Sequence, residues 1–208
     1  MIYLLGGPPR VGKSKISNLI TARHGISSVS TDSLGAVLEN VLDPQTAHGL
    51  FAVSKFNELP LADRIDLMVE ETRRRIDLQI AECRATWQAV APFIRREAEE
   101  GRDVLVEGVA VLPELVARLG ETDYRAVFVG HRGEDHEENI RRSAAEDDHD
   151  WMRDASDDYI HAFAVFVQQM SHSIAREAHE HGLAYIEMSE LPFDDAVDAV
   201  IRSLLGKE

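Results

Sequence analysis

The strongest constraint on this chain lies in its first fourteen residues. Gly7-Pro8-Pro9-Arg10-Val11-Gly12-Lys13-Ser14 satisfies G-x-x-x-x-G-K-[ST], the Walker A pattern. The apolar run Ile2 to Leu5 before it reads as a buried strand, and a helical pattern follows Gly12. This order suits a polyphosphate. Gly7 and Gly12 let the backbone turn tightly and approach a phosphate with no Cβ in the way. Backbone N–H groups at the end of the loop and in the first helical turn point at the anion, and the helix dipole adds to them. Lys13 supplies a mobile cation for the β- and γ-phosphates, and Ser14 a hydroxyl for Mg²⁺. Pro8 and Pro9 have no N–H, so the donors come from Arg10 onward, through Val11 to Lys15, and the prolines stiffen the early loop. Contacts to a nucleotide's phosphates are therefore expected across residues 7–15.

A chain of 208 residues can bury the core of one sizeable α/β domain. Hydrophobic content of 44% and charged content of 28% are ordinary for a globular protein. No apolar run reaches membrane-spanning length, and no cationic segment precedes the first apolar run, so neither membrane insertion nor a signal peptide is expected. Cys83 is the sole cysteine, which excludes an internal disulfide and a Cys-based metal site. A cytoplasmic protein is the simplest expectation. The net charge of −15 disfavours nucleic acid as a partner, because polyanions reward basic surfaces. A small phosphorylated ligand met by a local basic pocket fits this charge better.

Along the chain, short apolar runs at residues 26–30, 103–107, 125–129 and 184–188 read as further strands, separated by helical patterns. Five strands alternating with helices imply a parallel sheet covered on both faces, a three-layer αβα architecture. Ligands of such sheets sit outside the carboxyl ends of the strands. Those ends carry Gly7, Asp32, Glu107, His131-Arg132 and Ser189. A helix is expected after Thr31-Asp32, with Leu34, Val37, Leu38 and Val41 on one apolar face. Residues 43–60 read as an irregular segment with an exposed Phe51, and Pro92 as a kink or a new start in the long helical region that ends at Gly101.

The stretches Leu4 through Ser14, Val29-Ser30-Thr31-Asp32-Ser33, Val104-Leu105-Val106-Glu107-Gly108-Val109 followed by Leu112-Pro113, and Val127-Phe128-Val129 with Arg132 carry a resemblance. The arrangement resembles the small P-loop kinases of the nucleoside-monophosphate and shikimate kinase type, and most of all 2-phosphoglycerate kinase and its relatives. The resemblance implies a five-stranded core, Mg-ATP as phosphoryl donor, a small-molecule acceptor, an acceptor region at about residues 43–100 and a helical lid at about 131–158, all in a single domain, 1–208. One departure stands out. The family often carries an Arg in the helix after the strand-two Asp to grip an anionic acceptor, and Ser33-Leu34-Gly35-Ala36-Val37 has none. Chloramphenicol phosphotransferase and the zeta toxins share a similar core and act on neutral hydroxyls or sugar nucleotides.

Within this frame Asp32 is the candidate base for an acceptor hydroxyl, or the holder of a water on Mg²⁺, although Asp also suits the N-cap of the helix that follows. Glu107 and Gly108 are candidates for acceptor binding, with Glu107 also placed to support the metal. Arg132 is the candidate cation for the transferred charge, ahead of Arg141 and Arg142. The Arg73-Arg74-Arg75 and Arg95-Arg96 clusters read as solvated helix faces, from which one Arg per cluster could still turn inward to an acidic acceptor. The spacing of the nine histidines supports no metal site. No N-K-x-D guanine motif is present. The alternative to a kinase is an ATP-binding regulatory or interaction module with weak or no acceptor turnover. An apolar helix stripe such as 163–174 leaves a homodimer open.

Overall fold

The computed structural model describes residues 1–148 and 150–206, apart from the side chains of Ala52 and Ser54. The strands are β1 (Ile2–Gly6), β2 (Ser27–Ser30), β3 (Val104–Gly108), β4 (Tyr124–Gly130) and β5 (Ala184–Glu187). They form one parallel sheet in the order β2-β3-β1-β4-β5. The helices are α1 (Lys13–His24), α2 (Thr31–Val41), α3 (Pro44–Leu50), α4 (Ala52–Glu58), α5 (Leu61–Val69), α6 (Thr72–Glu99), α7 (Pro113–Val116), α8 (His136–Ala145), α9 (Asp157–Glu180) and α10 (Phe193–Leu205). α1 packs with α10 on one face of the sheet and α6 with α9 on the other. Ile2, Leu4, Leu5, Leu105, Val106 and Phe128 are fully enclosed between these layers. This is the expected architecture, and its core follows from central strands that are apolar on both faces.

Register positions the site. β1 lies between β3 and β4, so its carboxyl end is the point where the connections diverge to either side. Gly6 stands opposite Gly108, and Ser30 opposite Glu107. The phosphate loop, the start of α2 and the end of β3 therefore leave the sheet side by side. No helix among the described residues is long and apolar enough to cross a membrane.

Four expectations are corrected. Residues 43–60 are not irregular: Asp43 caps α3 by accepting from the Thr46 N–H at 3.0 Å, Pro44 opens that helix, and α4 follows. Phe51, between the two helices, is buried at 4% exposure rather than exposed. α2 turns only part of its apolar stripe inward: Leu34 packs against the core and Leu38 is half-buried. Val37 and Val41 are 63% and 73% exposed, while Gly35 is buried against Thr86 of α6. The absent side chain at Gly35 lets the two helices approach, and that contact outweighs the stripe. α6 also runs unbroken through Pro92.

Candidate active site

The phosphate loop is shaped by backbone geometry. Gly7 has φ of 149°, and a Cβ there would overlap the Val129 carbonyl. Arg10, with φ of 62°, is the sole non-glycine residue at positive φ among the described residues. Its guanidinium makes two bonds to Asp150, at 2.8 and 2.7 Å, and donates to the Ser143 hydroxyl at 2.8 Å. Both side chains of the Arg10–Asp150 pair are nearly buried. The loop is thus tied to α8 and the segment after it, the region expected to form a lid.

Lys13 opens α1 and is buried, with its Nζ donating to the Pro8 carbonyl at 2.6 Å. Burial lowers its pKa to about 8, against the opposing pull of Glu107 and Asp32. Glu107, at the end of β3, is itself buried. Burial raises its carboxyl above the usual range, Lys13 opposes that, and the Ser14 and Ser30 hydroxyls act in the same direction as Lys13. Asp32 lies in the first turn of α2 with an exposed side chain. The capping role falls to Ser30, whose hydroxyl accepts from the Asp32 N–H at 3.2 Å. The Asp32 carboxylate is left free to act on its surroundings, and its charge is felt at Lys13, Glu107, Glu82 and Cys83. Lys13, Ser14, Asp32 and Glu107 therefore meet at one place. Gly108 completes the wall: at φ of 146° it sits so close to Thr31 that any Cβ would collide with the threonine hydroxyl.

Arg132 is held elsewhere. Its backbone N–H and its Nε donate to Glu187 at 2.8 and 2.5 Å, and its guanidinium lies 5.6 Å from the Tyr185 ring centre. Burial pushes the Glu187 carboxyl up, but hydrogen bonds from Ser189, Arg132 and Tyr185 outweigh it and hold the group below its ordinary range. Arg141 pairs with Glu137 and Asp157, and Arg142 donates to Asn139. Close to Arg10 lie His131 and His136, buried with ring centres 4.3 Å apart.

No group of three or more His, Cys, Asp or Glu among the described residues could hold a metal by itself. The donors present, one hydroxyl (Ser14) and two carboxylates (Asp32, Glu107), suit Mg²⁺. That ion keeps several waters and takes its remaining ligands from substrate phosphates. A groove of about 470 Å³ between α6 and α9, lined by residues including Glu70, Arg73, Ile76 and His172, shares no residue with this site.

The comparisons agree with this fold. No family model matches the chain. Over its full length it is 26% identical to a 2-phosphoglycerate kinase of Pyrococcus horikoshii, and it spans 65% of that protein's length. A gluconokinase from Sinorhizobium meliloti superposes with a TM-score of 0.52 at 16% identity, covering 99% of this chain and 91% of its own. A shikimate kinase from Bacteroides thetaiotaomicron gives 0.52 at 12% identity, with 100% and 99% covered. A sugar kinase from Janibacter gives 0.55 at 13%, with 99% and 94% covered. The chain shares its fold with these kinases. Of the residues singled out in the sequence, Lys13, Ser14, Asp32 and Glu107 come together, whereas Arg132 is held apart by Glu187. The Arg10–Asp150 tie and the Arg132–Glu187–Tyr185 knot were not anticipated, and Arg75 is the member of its cluster that turns inward. The signal for Arg75 was its position four and eight residues before Gln79 and Cys83, on one helix face.

Proposed function

We propose that this protein is an ATP- and Mg²⁺-dependent kinase of a small hydroxyl- or phosphate-bearing acceptor, with 2-phosphoglycerate-like acids, sugars, nucleotides and antibiotic alcohols as the acceptor classes to test. The observation that carries the reading is the meeting of buried Lys13 with Asp32 and Glu107 at the carboxyl ends of adjacent strands. The loop amides from Arg10 onward and Lys13 hold the β- and γ-phosphates. A lysine desolvated to this degree binds an anion with little competing water. Ser14, supported by Glu107, would hold the metal, which would neutralise charge developing on the phosphoryl oxygens. Asp32 accepts the proton of the acceptor hydroxyl as that hydroxyl's oxygen bonds to the γ-phosphorus and the bond to the β–γ bridging oxygen breaks, leaving ADP. Arg132 stabilises the transferred charge after exchanging Glu187 for phosphate. The naming of the Pyrococcus relative supports a phosphorylated acid as the first acceptor to try.

The test is ADP release from Mg-ATP across a panel of phosphoglycerates, nucleoside monophosphates, shikimate-like acids, sugars and chloramphenicol-like alcohols. Acceptor-dependent release, lost in Asp32→Asn, is the expected result. Tight ATP binding with no acceptor-dependent release in any class would overturn the kinase reading.

A further inference from the structure

Arg75 is the one member of its cluster that turns inward. Arg73 and Arg74 are exposed and pair with Asp77 and Glu71. Arg75 is 4% exposed, with its guanidinium 4.3 Å from the Phe56 ring centre and 4.4 Å from that of Phe166. Its planar faces are thus covered by two aromatic rings. Nη2 donates to Gln79 at 3.2 Å, but Nε and Nη1 have no partner among the described residues. A second guanidinium lies nearby. Arg64 stands 5.5 Å from the Tyr159 ring centre, and its buried Nε is likewise without a partner there. Tyr159 feels the charge of both arginines.

Unpaired donors on a buried cation are costly, so they point to a ligand that completes them. The position relative to the transfer site is right. Arg75 donates to Gln79, Gln79 to the Cys83 sulfur at 3.9 Å, and the Cys83 thiol to the Val109 carbonyl at 3.3 Å, next to Gly108. Arg75 and Cys83 are eight residues apart on α6, or ~12 Å along the helix axis. A long arginine side chain and a small acid together cover that span. No arginine in residues 33–37 offers an alternative grip.

Resting on the kinase reading, we propose that Arg75, with Arg64, forms an oxyanion subsite, so that the acceptor carries a carboxylate or phosphate group in addition to the hydroxyl that is phosphorylated. The stacked rings fix the guanidinium plane, and its edge donors select a planar or tetrahedral oxyanion over a neutral hydroxyl. Arg75 acts here in acceptor binding and takes no part in the transfer itself.

The experiment uses matched pairs: 2-phosphoglycerate against glycerol, gluconate against glucose, and shikimate against its methyl ester. Wild type, Arg75→Lys, Arg75→Met and Arg64→Met are compared by ADP release and by acceptor-dependent thermal shift. We expect turnover and thermal shift only with acids, and an acceptor KM raised about tenfold to hundredfold in Arg75→Met. Arg75→Lys should be intermediate, and the KM for ATP should stay within about twofold of wild type in each folded variant. The phosphate and carboxylate members show which oxyanion is taken. Equal use of a neutral partner, or an unchanged acceptor KM in Arg75→Met, would overturn the subsite. Should Arg75→Met not fold, Arg75→Lys and Arg64→Met decide by the same criterion. Arg75-dependent thermal shifts with no ADP release would retain the subsite and sink the kinase reading. No thermal shift from any acid would sink the subsite.

Discussion

Arg10 and Asp150 make a two-bond ion pair that joins the phosphate loop to the segment after α8, across 140 residues of sequence. Both side chains are mostly shielded, at 13% and 11% exposure, so the pair is less screened than a surface bridge. Arg10→Met and Asp150→Asn should each lower stability by about 1–3 kcal/mol, because each leaves a shielded charge alone. The double variant should cost less than the sum of the two. Urea unfolding of the four proteins measures the coupling, and strict additivity would show that the contact contributes nothing.

Asp32→Asn should leave the fold intact and stop transfer. Ser30 caps α2, and the Asp32 side chain is exposed, so the stability change should stay within about 0.5 kcal/mol. ATP affinity, measured by calorimetry, should change little while kcat falls at least a hundredfold. A large drop in unfolding midpoint would instead mark Asp32 as structural.

Lys13 sets a pH limit. With its pKa lowered to about 8 by burial, the free protein presents a charged Lys13 below that pH and loses it above. ATP affinity should be level below pH 7 and weaken by up to tenfold per unit above about 8. Stability moves the other way. Between about 8 and the ordinary lysine value of 10.5 the unfolded chain binds more protons than the fold, so stability from this group rises with pH across that window. The Lys13→Met protein should lack both trends, as calorimetric titrations and melting curves would show.

His136 makes the fold acid-sensitive. Both of its ring nitrogens are buried without a partner among the described residues, and burial, with the nearby His131, lowers its pKa to about 3. The unfolded chain takes up a proton near 6.5 and the fold does not. The stabilising difference is therefore full above that value and is lost as pH falls toward 3. At pH 5 the loss is about 2 kcal/mol. His136→Phe should remove much of the decline in melting temperature between pH 7 and pH 5.

Gly108→Ala should be among the more damaging single changes. It combines a left-handed backbone, φ 146°, with a collision against buried Thr31. Overpacking and backbone strain each contribute about 1–3 kcal/mol. Chemical denaturation measures the loss, and a cost under about 1 kcal/mol would mean that β3 and α2 can separate freely.

The sheet and the phosphate end of the site were legible in the sequence because their signals are local. Gly7 to Ser14 is one contiguous motif, and Asp32 and Glu107 directly follow or end apolar runs. The proposed acceptor end was harder to read because its signals are relational. Arg75 differs from Arg73 and Arg74 only in facing the α6 stripe that Phe56 and Phe166 close from two other helices. Val37 and Val41 form a good apolar stripe, yet the missing side chain at Gly35 decides which side of α2 meets α6. Arg10–Asp150 and Arg132–Glu187 join residues far apart in sequence, and periodicity carries no information about such pairs.

The pairing of Gly6 with Gly108, and of Ser30 with Glu107, has a consequence for how such an enzyme can change. Backbone ladders fix the donor end, and α6 belongs to the same frame, because its Ile76, Cys83, Val90 and Ile94 are buried in the core. Under the proposed function, specificity is therefore redesigned by changing single side chains on α4 to α6 and not by exchanging residues 43–100 as a unit.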